Sequence, residues 1–246
     1  MSTGSLTADT VLQGARVATA PLQRRALRDD VYDSVLDMLL SGEVAPGESI
    51  GIYSIARVLG VSQTPVREAM AQLEHTGLVE RTALKGYRVS PPLPPEAMVE
   101  LVDARSVVEI AAARAAAADA SALVPELRAA HAAHETATAA LEASLREEGA
   151  VASLPLLRAY FDADWEFHLT VFRRSGNRFL LQMSEQLGSH LHRLRQTAGH
   201  ASNDARQALS EHARVLDGYS SPDPLLGAVR MQEHLAAVRA RVVADG

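Results

Sequence analysis

Asp164 and His168 stand four residues apart in Asp164-Trp165-Glu166-Phe167-His168, a spacing that stacks carboxylate and imidazole on one face of a helix. One helix can therefore offer two metal ligands. Two more histidines recur in similar settings, Glu211-His212 and Glu233-His234-Leu235, twenty-two positions apart and each inside its own helical run. If those helices face the first, three imidazoles and one carboxylate converge, a set suited to a divalent ion, zinc foremost, with nickel or manganese as alternatives. The bland reading stays open at this point. With nine histidines in the chain, an i,i+4 Asp/His pair also arises by chance or as a surface ion pair.

Such a centre could activate water, so a metal-dependent hydrolytic enzyme is one reading. Against it, the chain shows no general-base motif beside the cluster, no Gly-rich phosphate loop and no Ser nucleophile elbow. The sequence has no cysteine, which excludes disulfides, thiol catalysis and thiolate ligands.

A second chemistry lies in Val61-Ser62-Gln63-Thr64-Pro65-Val66-Arg67-Glu68-Ala69-Met70-Ala71-Gln72-Leu73. Ser62 or Thr64 can cap a helix start, Pro65 suits the first turn, and Glu68 completes a capping pattern. Val66, Met70 and Leu73 form a narrow buried stripe, leaving Gln63, Thr64, Arg67 and Ala71 on the free face. A polar, Arg-bearing helix start fits the DNA major groove. Taken alone, the stretch also reads as an ordinary capped surface helix.

The flanks decide between the two. Ile52 to Leu59 is a short helical pattern closed by Gly60, a residue free to take the left-handed conformation of a sharp helix-to-helix turn. Downstream, Gly77 to Thr82 and Gly86 to Ser90 are strand-like runs joined by Ala83-Leu84-Lys85, which gives a two-stranded wing. The order is that of a winged helix-turn-helix. Lys85, the chain's single lysine, sits beside Gly86 at the wing tip, where a compact cation could meet phosphate or the minor groove.

Length and charge bound the rest. At 246 residues the chain can hold two domains with separate cores. A formal charge of -6 and a pI near 5.8 exclude a broadly basic, nonspecific nucleic-acid surface, so any DNA contact must be local. No secretory or membrane-spanning pattern appears. The expected place is the cytoplasm.

In chain order, residues 1–23 read as a mobile N-terminal tail, and residues 24–90 as the winged domain. Its first helix is marked by Val31, Val35, Met38 and Leu39 and stops at Ser41-Gly42. Residues 91–95, Pro91-Pro92-Leu93-Pro94-Pro95, form a stiff linker. Residues 96–246 keep a 3.6-residue period broken near Ser121 to Pro125, Gly149 to Pro155, Ser175 to Asn177, Ala198 to Asn203 and Gly218 to Pro224. The expected fold is therefore mainly α, a winged helix-turn-helix followed by an all-helical bundle of about six helices. His190, His192 and Arg193 share a helix that could line a pocket. His75, His131, His134 and His200 are expected at surfaces, and Trp165 in packing.

The segment from Gly60 to Ala69, with the Leu, Gly-Leu and Gly-containing wing that follow, resembles the GntR family of bacterial transcription regulators over about residues 30 to 90. Gln63 stands where that family usually has Arg, and Gly51 and Ser54 where it usually has capping Ser and Glu. Arg pairs with guanine and Gln favours adenine, a difference of about 1 to 3 kcal/mol per contact, so Gln63 either shifts the base read at one position or touches only the backbone. The resemblance extends through Asp164, Phe167, His168, Ser175-Gly176-Asn177, Glu211-His212 and His234-Leu235 to the FCD effector-binding domain of the FadR subgroup. It implies a divalent ion held by Asp164, His168, His212 and His234, and a small carboxylate effector gripped by Arg105, whose bland role is a salt bridge to Glu109 one turn on; His190 and Arg193 are further pocket candidates by their place on the helix after Asn177. It also implies a homodimer on double-stranded, pseudo-palindromic operator DNA, contacted through Gln63, Thr64, Arg67, Lys85 and Gly86. Repression is the family habit. An ion that is purely structural, or is itself the effector, stays as an alternative.

Overall fold

A computed structural model describes residues 23–82, 86–146, 153–195 and 201–244. The tail to residue 22, Lys85, His200 and the side chains of His190, His192 and Arg193 lie outside the described residues.

Helix α1 (Gln23–Leu40) opens the winged region. It buries Val31, Val35, Leu36 and Leu39, whereas Met38, expected in this stripe, is only half-buried. Leu36 takes the inner position because the helix buries two adjacent rows against its neighbour. Strand β1 (Ser49–Ile50), α2 (Ile52–Leu59) and α3 (Gln63–His75) follow. Gly60 ends α2 with φ 66°, the left-handed turn that a side chain would strain. Val66, Ala69, Met70 and Leu73 of α3 are fully buried beside Val35 and Leu36, and α1 packs on α3. Ser62 holds the cap position in extended conformation but makes no side-chain cap hydrogen bond. The expected Ser/Thr-to-Glu capping box is thus not formed, and Pro65 together with burial of the Val66 face sets the helix start.

Strands β2 (Val79–Thr82) and β3 (Gly86–Val89) pair antiparallel with Thr82 opposite Gly86. The sheet has a third strand: β1 pairs with β3, Ile50 opposite Tyr87, giving the order β1-β3-β2. Residues 90–94 carry no regular structure.

Beyond them come α4 (Pro95–Ala116), a single 3-10 turn (Ala117–Asp119), α5 (Ala120–Ser144), α6 (Leu154–Arg174), α7 (Arg178–Arg195), α8 (Ala201–Tyr219) and α9 (Leu225–Ala244). The expected break at Ser121 to Pro125 falls earlier, at the 3-10 turn, and Pro125 lies inside α5. The breaks expected at Ser175 to Asn177 and at Gly218 to Pro224 are where composition puts them, that at Ala198 to Asn203 is already helical from Ala201, and most of that at Gly149 to Pro155 lies outside the described residues. Asn177 Oδ1 accepts the backbone N–H groups of Phe179 (3.0 Å) and Leu180 (3.3 Å), and Asp223 Oδ1 that of Leu225 (3.1 Å), so both side chains cap the helices that follow.

The bundle core gathers Ala113, Ala116, Leu123, Leu127, Phe167 and Met231. Tyr219 donates its buried hydroxyl to the Ala113 carbonyl at 2.8 Å. Small residues bring α8 and α9 together: a Cβ on Gly218 would lie 2.7 Å from the Gly227 nitrogen, and one on Gly227 2.4 Å from Tyr219 Cγ. No described helix is long and apolar enough to cross a membrane.

Candidate metal centre and DNA-reading helix

Helix α6 carries Asp164 and His168, α8 carries His212 and α9 carries His234. The three imidazoles are buried, and ligand atoms of all three lie within 4.8 Å of one another. His212 Nε2 is 3.2 Å from His168 Nε2. Two nitrogens bound to one tetrahedral zinc ion stand about 3.3 Å apart, so the spacing fits. Asp164 sits on the His212 side of the cluster, its Oδ1 3.8 Å from His212 Nε2.

The far nitrogens are held by a surrounding set of polar groups. His234 Nδ1 lies 2.7 Å from Glu211 Oε2, and Arg241 donates to both oxygens of Glu211 at 2.8 and 3.1 Å. Glu109 Oε2 comes within 2.6 Å of His168 Nδ1, off the axis of a good hydrogen bond, while Arg105 Nε donates to Glu109 Oε1 at 2.7 Å. A carboxylate on Nδ1 fixes the imidazole tautomer that leaves Nε2 a bare lone pair. Ring packing adds orientation: Phe167 stacks on His212 with centroids 4.1 Å apart and planes within 6°, and Trp165 stacks on His168 at 5.8 Å.

Electrostatics agree with neutral imidazoles at His212 and His234 beside anionic carboxylates. Burial holds His212 well below the ordinary histidine value, with the neighbouring histidines adding to the effect. Burial also lowers His234, although Glu211 opposes it. Glu109 and Glu211 would be raised by burial, yet Arg105 and His168 hold the first down to about 2, and His234 and Arg241 the second to about 2. Neutral imidazoles and an adjacent carboxylate are the donor chemistry a divalent ion needs.

Arg105 is buried, ion-paired with Glu109, and its guanidinium lies 5.6 Å over the Trp165 ring. His134 departs from expectation. Expected at the surface, it is fully buried on α5, with Nδ1 3.1 Å from His212 Nδ1. His131 is half-buried with Nε2 3.3 Å from the Leu209 carbonyl, and His75 is exposed. Sequence reasoning also missed Glu211 and Arg241, and gave Glu109 only as a partner of Arg105. The signal for Glu211 was its place beside His212; for His134 no local signal exists.

At the other end of the chain, Gln63, Thr64 and Arg67 are exposed at the start of α3, and Arg67 Nη2 donates to Gln63 Oε1 at 3.2 Å. The two side chains stand together on the open face. Gly86 has φ 86°, and a Cβ there would meet the Ile50 carbonyl at 3.0 Å, so glycine is required where the wing turns into β3.

Comparison with known proteins agrees with this arrangement. Residues 27–89 match the family described as bacterial regulatory proteins, gntR family, and residues 100–237 the FCD domain. The chain is similar to an uncharacterized HTH-type transcriptional regulator in an unstable DNA locus of Streptomyces ambofaciens, 29% identical over 215 residues, 87% of this chain and 84% of that one. It is also similar to a probable D-xylose utilization operon transcriptional repressor of Paenarthrobacter nicotinovorans, 29% identical over 218 residues, 88% of each chain. Solved structures share the fold. E. coli McbR/YncC has a TM-score of 0.67 at 18% identity, covering 89% of this chain and 98% of its own, and a putative GntR regulator from Rhodococcus sp. RHA1 has 0.66 at 16%, covering 91% and 99%. Matched families and relatives are regulators, not enzymes. With a winged helix in front and an FCD bundle behind, the chain belongs to the GntR family of bacterial transcription regulators.

Proposed function

We propose that the protein is a ligand-responsive repressor that binds a pseudo-palindromic operator as a homodimer, and that a small organic acid at a divalent-ion site in the bundle changes its affinity for DNA. The observation that carries the reading is the convergence of His168, His212 and His234, each neutralised by burial or backed at Nδ1 by another polar group. Asp164 would complete the ligand set. A bound divalent ion supplies a Lewis-acidic point to which a carboxylate can attach. The chain's own residues set its neutral donors, exclude water and orient the rings.

For DNA, support comes from the exposed Gln63/Arg67 pair at the start of α3, with Thr64 beside it and the wing at Gly86. Lys85 at the wing tip is proposed as a phosphate or minor-groove contact. Two copies of α3, related by a two-fold axis, match an inverted repeat. Repression follows the printed name of the Paenarthrobacter relative. His190 and Arg193 are kept as effector contacts for their place on the helix after Asn177.

The acid must favour one arrangement of the winged regions over another. A coupling of about 1 to 3 kcal/mol would change operator affinity roughly 5- to 150-fold. The test is to titrate small carboxylates into the Zn2+-loaded protein–operator complex. Affinity that stays flat under an acid independently shown to bind rejects the regulatory reading.

A specific observation favours a second reading, in which the ion is structural or is itself the effector: the Arg105 guanidinium is committed to Glu109 and Trp165. Chelation separates the two. Loss of folding supports a structural ion, lost operator affinity without any acid supports a sensed ion, and lost acid binding in a folded protein supports the pocket.

A further inference from the structure

We propose that His134 is a positioning residue of the histidine centre, a second imidazole behind His212 that fixes which of its nitrogens is bare. The inference rests on the metal reading above and extends it to a side chain on a fourth helix, α5.

His134 is fully buried. Its Nδ1 is 3.1 Å from His212 Nδ1, the ring centroids are 5.0 Å apart, and the planes meet at 53°. Its Nε2 is buried with no hydrogen-bond partner, and the nearest carboxylate oxygen described for it is Asp164 Oδ1 at 3.8 Å. A buried, unpaired imidazole nitrogen is costly unless the site uses it. A leucine or phenylalanine would fill the same space without that cost.

Two nitrogens 3.1 Å apart need one proton between them, so one donates and the other accepts. Suppose His212 donates. His134 then accepts at Nδ1 and carries its own proton on Nε2, the nitrogen that faces Asp164, while His212 presents a bare Nε2 toward His168 and His234. Suppose instead His134 donates. Its bare Nε2 then faces a carboxylate, and His212 is left with an Nε2–H directed at His168 Nε2, 3.2 Å away. That second state closes the centre to a cation.

Only the first state offers three lone pairs at once. Glu211 makes the same choice for His234 through a hydrogen bond, and Glu109 stands 2.6 Å from His168 Nδ1, but no carboxylate reaches His212 Nδ1 among the described contacts. A histidine does that work instead. Asp164 Oδ1 stands 3.8 Å from both His134 Nε2 and His212 Nε2, too far for a hydrogen bond to either, and its negative charge favours a proton on the His134 nitrogen that faces it.

The experiment measures Zn2+ affinity of the metal-stripped full chain by competition with a chromophoric chelator, for wild type, His134→Leu and His134→Asn, with circular dichroism as the folding check. Partners behind metal-bound histidines are commonly worth 10- to 100-fold in affinity, so the Leu variant should bind Zn2+ about that much more weakly. The Asn variant should recover most of the loss, because its Oδ1 can accept from His212 Nδ1 near the place of the lost nitrogen. Nitrogen-15 spectra of the Zn2+-loaded wild type should show His212 protonated at Nδ1, a readout that needs no variant to fold. Unchanged affinity in the Leu variant, failure of Asn to restore a lost affinity, or a His212 proton on Nε2 would each overturn the proposal. A wild-type chain that takes up no Zn2+ ends the metal reading itself, a distinct result from a metal-binding wild type with indifferent variants.

Discussion

Arg158 ties the helix of the histidine centre to the winged region, a route by which the two can be coupled, because α6 carries Arg158 as well as Asp164 and His168. Its guanidinium pairs with Asp33 on α1 and, at 3.4 Å, with Asp37 one turn on. Burial works against the charge, but the Asp33 hydrogen bond and the charges of Asp33, Asp37 and Asp162 together raise its pKa. The arginine is a fixed cation. Its side chain is 26% exposed and the two aspartates 46% and 44%, so solvent screening limits each link to roughly 0.5–1 kcal/mol. Two links give about 1–2 kcal/mol, a factor of about 5–30 in how firmly α1 is held against α6. Asp162 lies on the same helix as Arg158 and adds nothing to that tie. Arg158→Ala should therefore speed hydrogen exchange along α1 by that factor while leaving the amides of the bundle core unchanged. A cycle with Asp33→Asn, read by denaturant unfolding, should return a coupling energy of about 0.5–1 kcal/mol. If the two substitutions add within about 0.3 kcal/mol and α1 exchange does not change, Arg158 ties nothing together and the route is wrong.

Three further outcomes follow from the same geometry. Met70→Ala removes a fully buried side chain at the centre of the winged core; it should cost about 2–5 kcal/mol in chemical denaturation and abolish operator binding while Zn2+ binding persists. Gly227→Ala drives a methyl group into the Tyr219 ring, 2.4 Å from Cγ, and should lower stability by about 1–3 kcal/mol or more; an unshifted melting temperature would contradict the close approach of α8 to α9. For the metal-free protein, burial lowers His134, His212 and His234 from 6.5, so on acidification the unfolded chain takes up their protons first and stability should fall as pH drops below 6.5. Glu109 and Glu211, held at about 2 against an ordinary 4.5, contribute stability that is complete above 4.5 and lost as pH falls toward 2. Melting temperatures from pH 7.5 downward check the sign, and a rise on acidification would refute it.

The winged region was readable because its signals are local. Gly60, Pro65 and the Val66/Met70/Leu73 spacing each constrain the few residues around them, and α2 and α3 lie where those residues place them. Strand β1 escaped notice because a two-residue strand has no period; its existence depends on pairing with the distant Tyr87 and Arg88. The first break in the bundle was misplaced for a related reason. Ser121 and Pro125 look like a helix start, but the turn is made by Ala117 to Asp119, alanine-rich residues that punctuate nothing. In the centre, Asp164/His168 was legible as an i,i+4 pair, and His212 and His234 through their repeated settings. His134 was not. Its neighbours, Ala132, Ala133 and Glu135, suit a surface helix, and its burial comes from α8 crossing α5, which brings in a residue seventy-eight positions on. Glu109 was visible as a partner for Arg105, but its second partner, His168, is supplied by tertiary packing.

The most direct test of the account is selection of genomic DNA fragments by the purified full chain at near-physiological salt, with and without Zn2+ and with Arg67→Ala as control. The account predicts enrichment of a short inverted repeat that disappears in the Arg67 variant and whose yield changes with the ion. Fragments without a common sequence, or an inverted repeat retained equally by the Arg67 variant, would contradict reading of DNA by the Gln63/Arg67 face of α3.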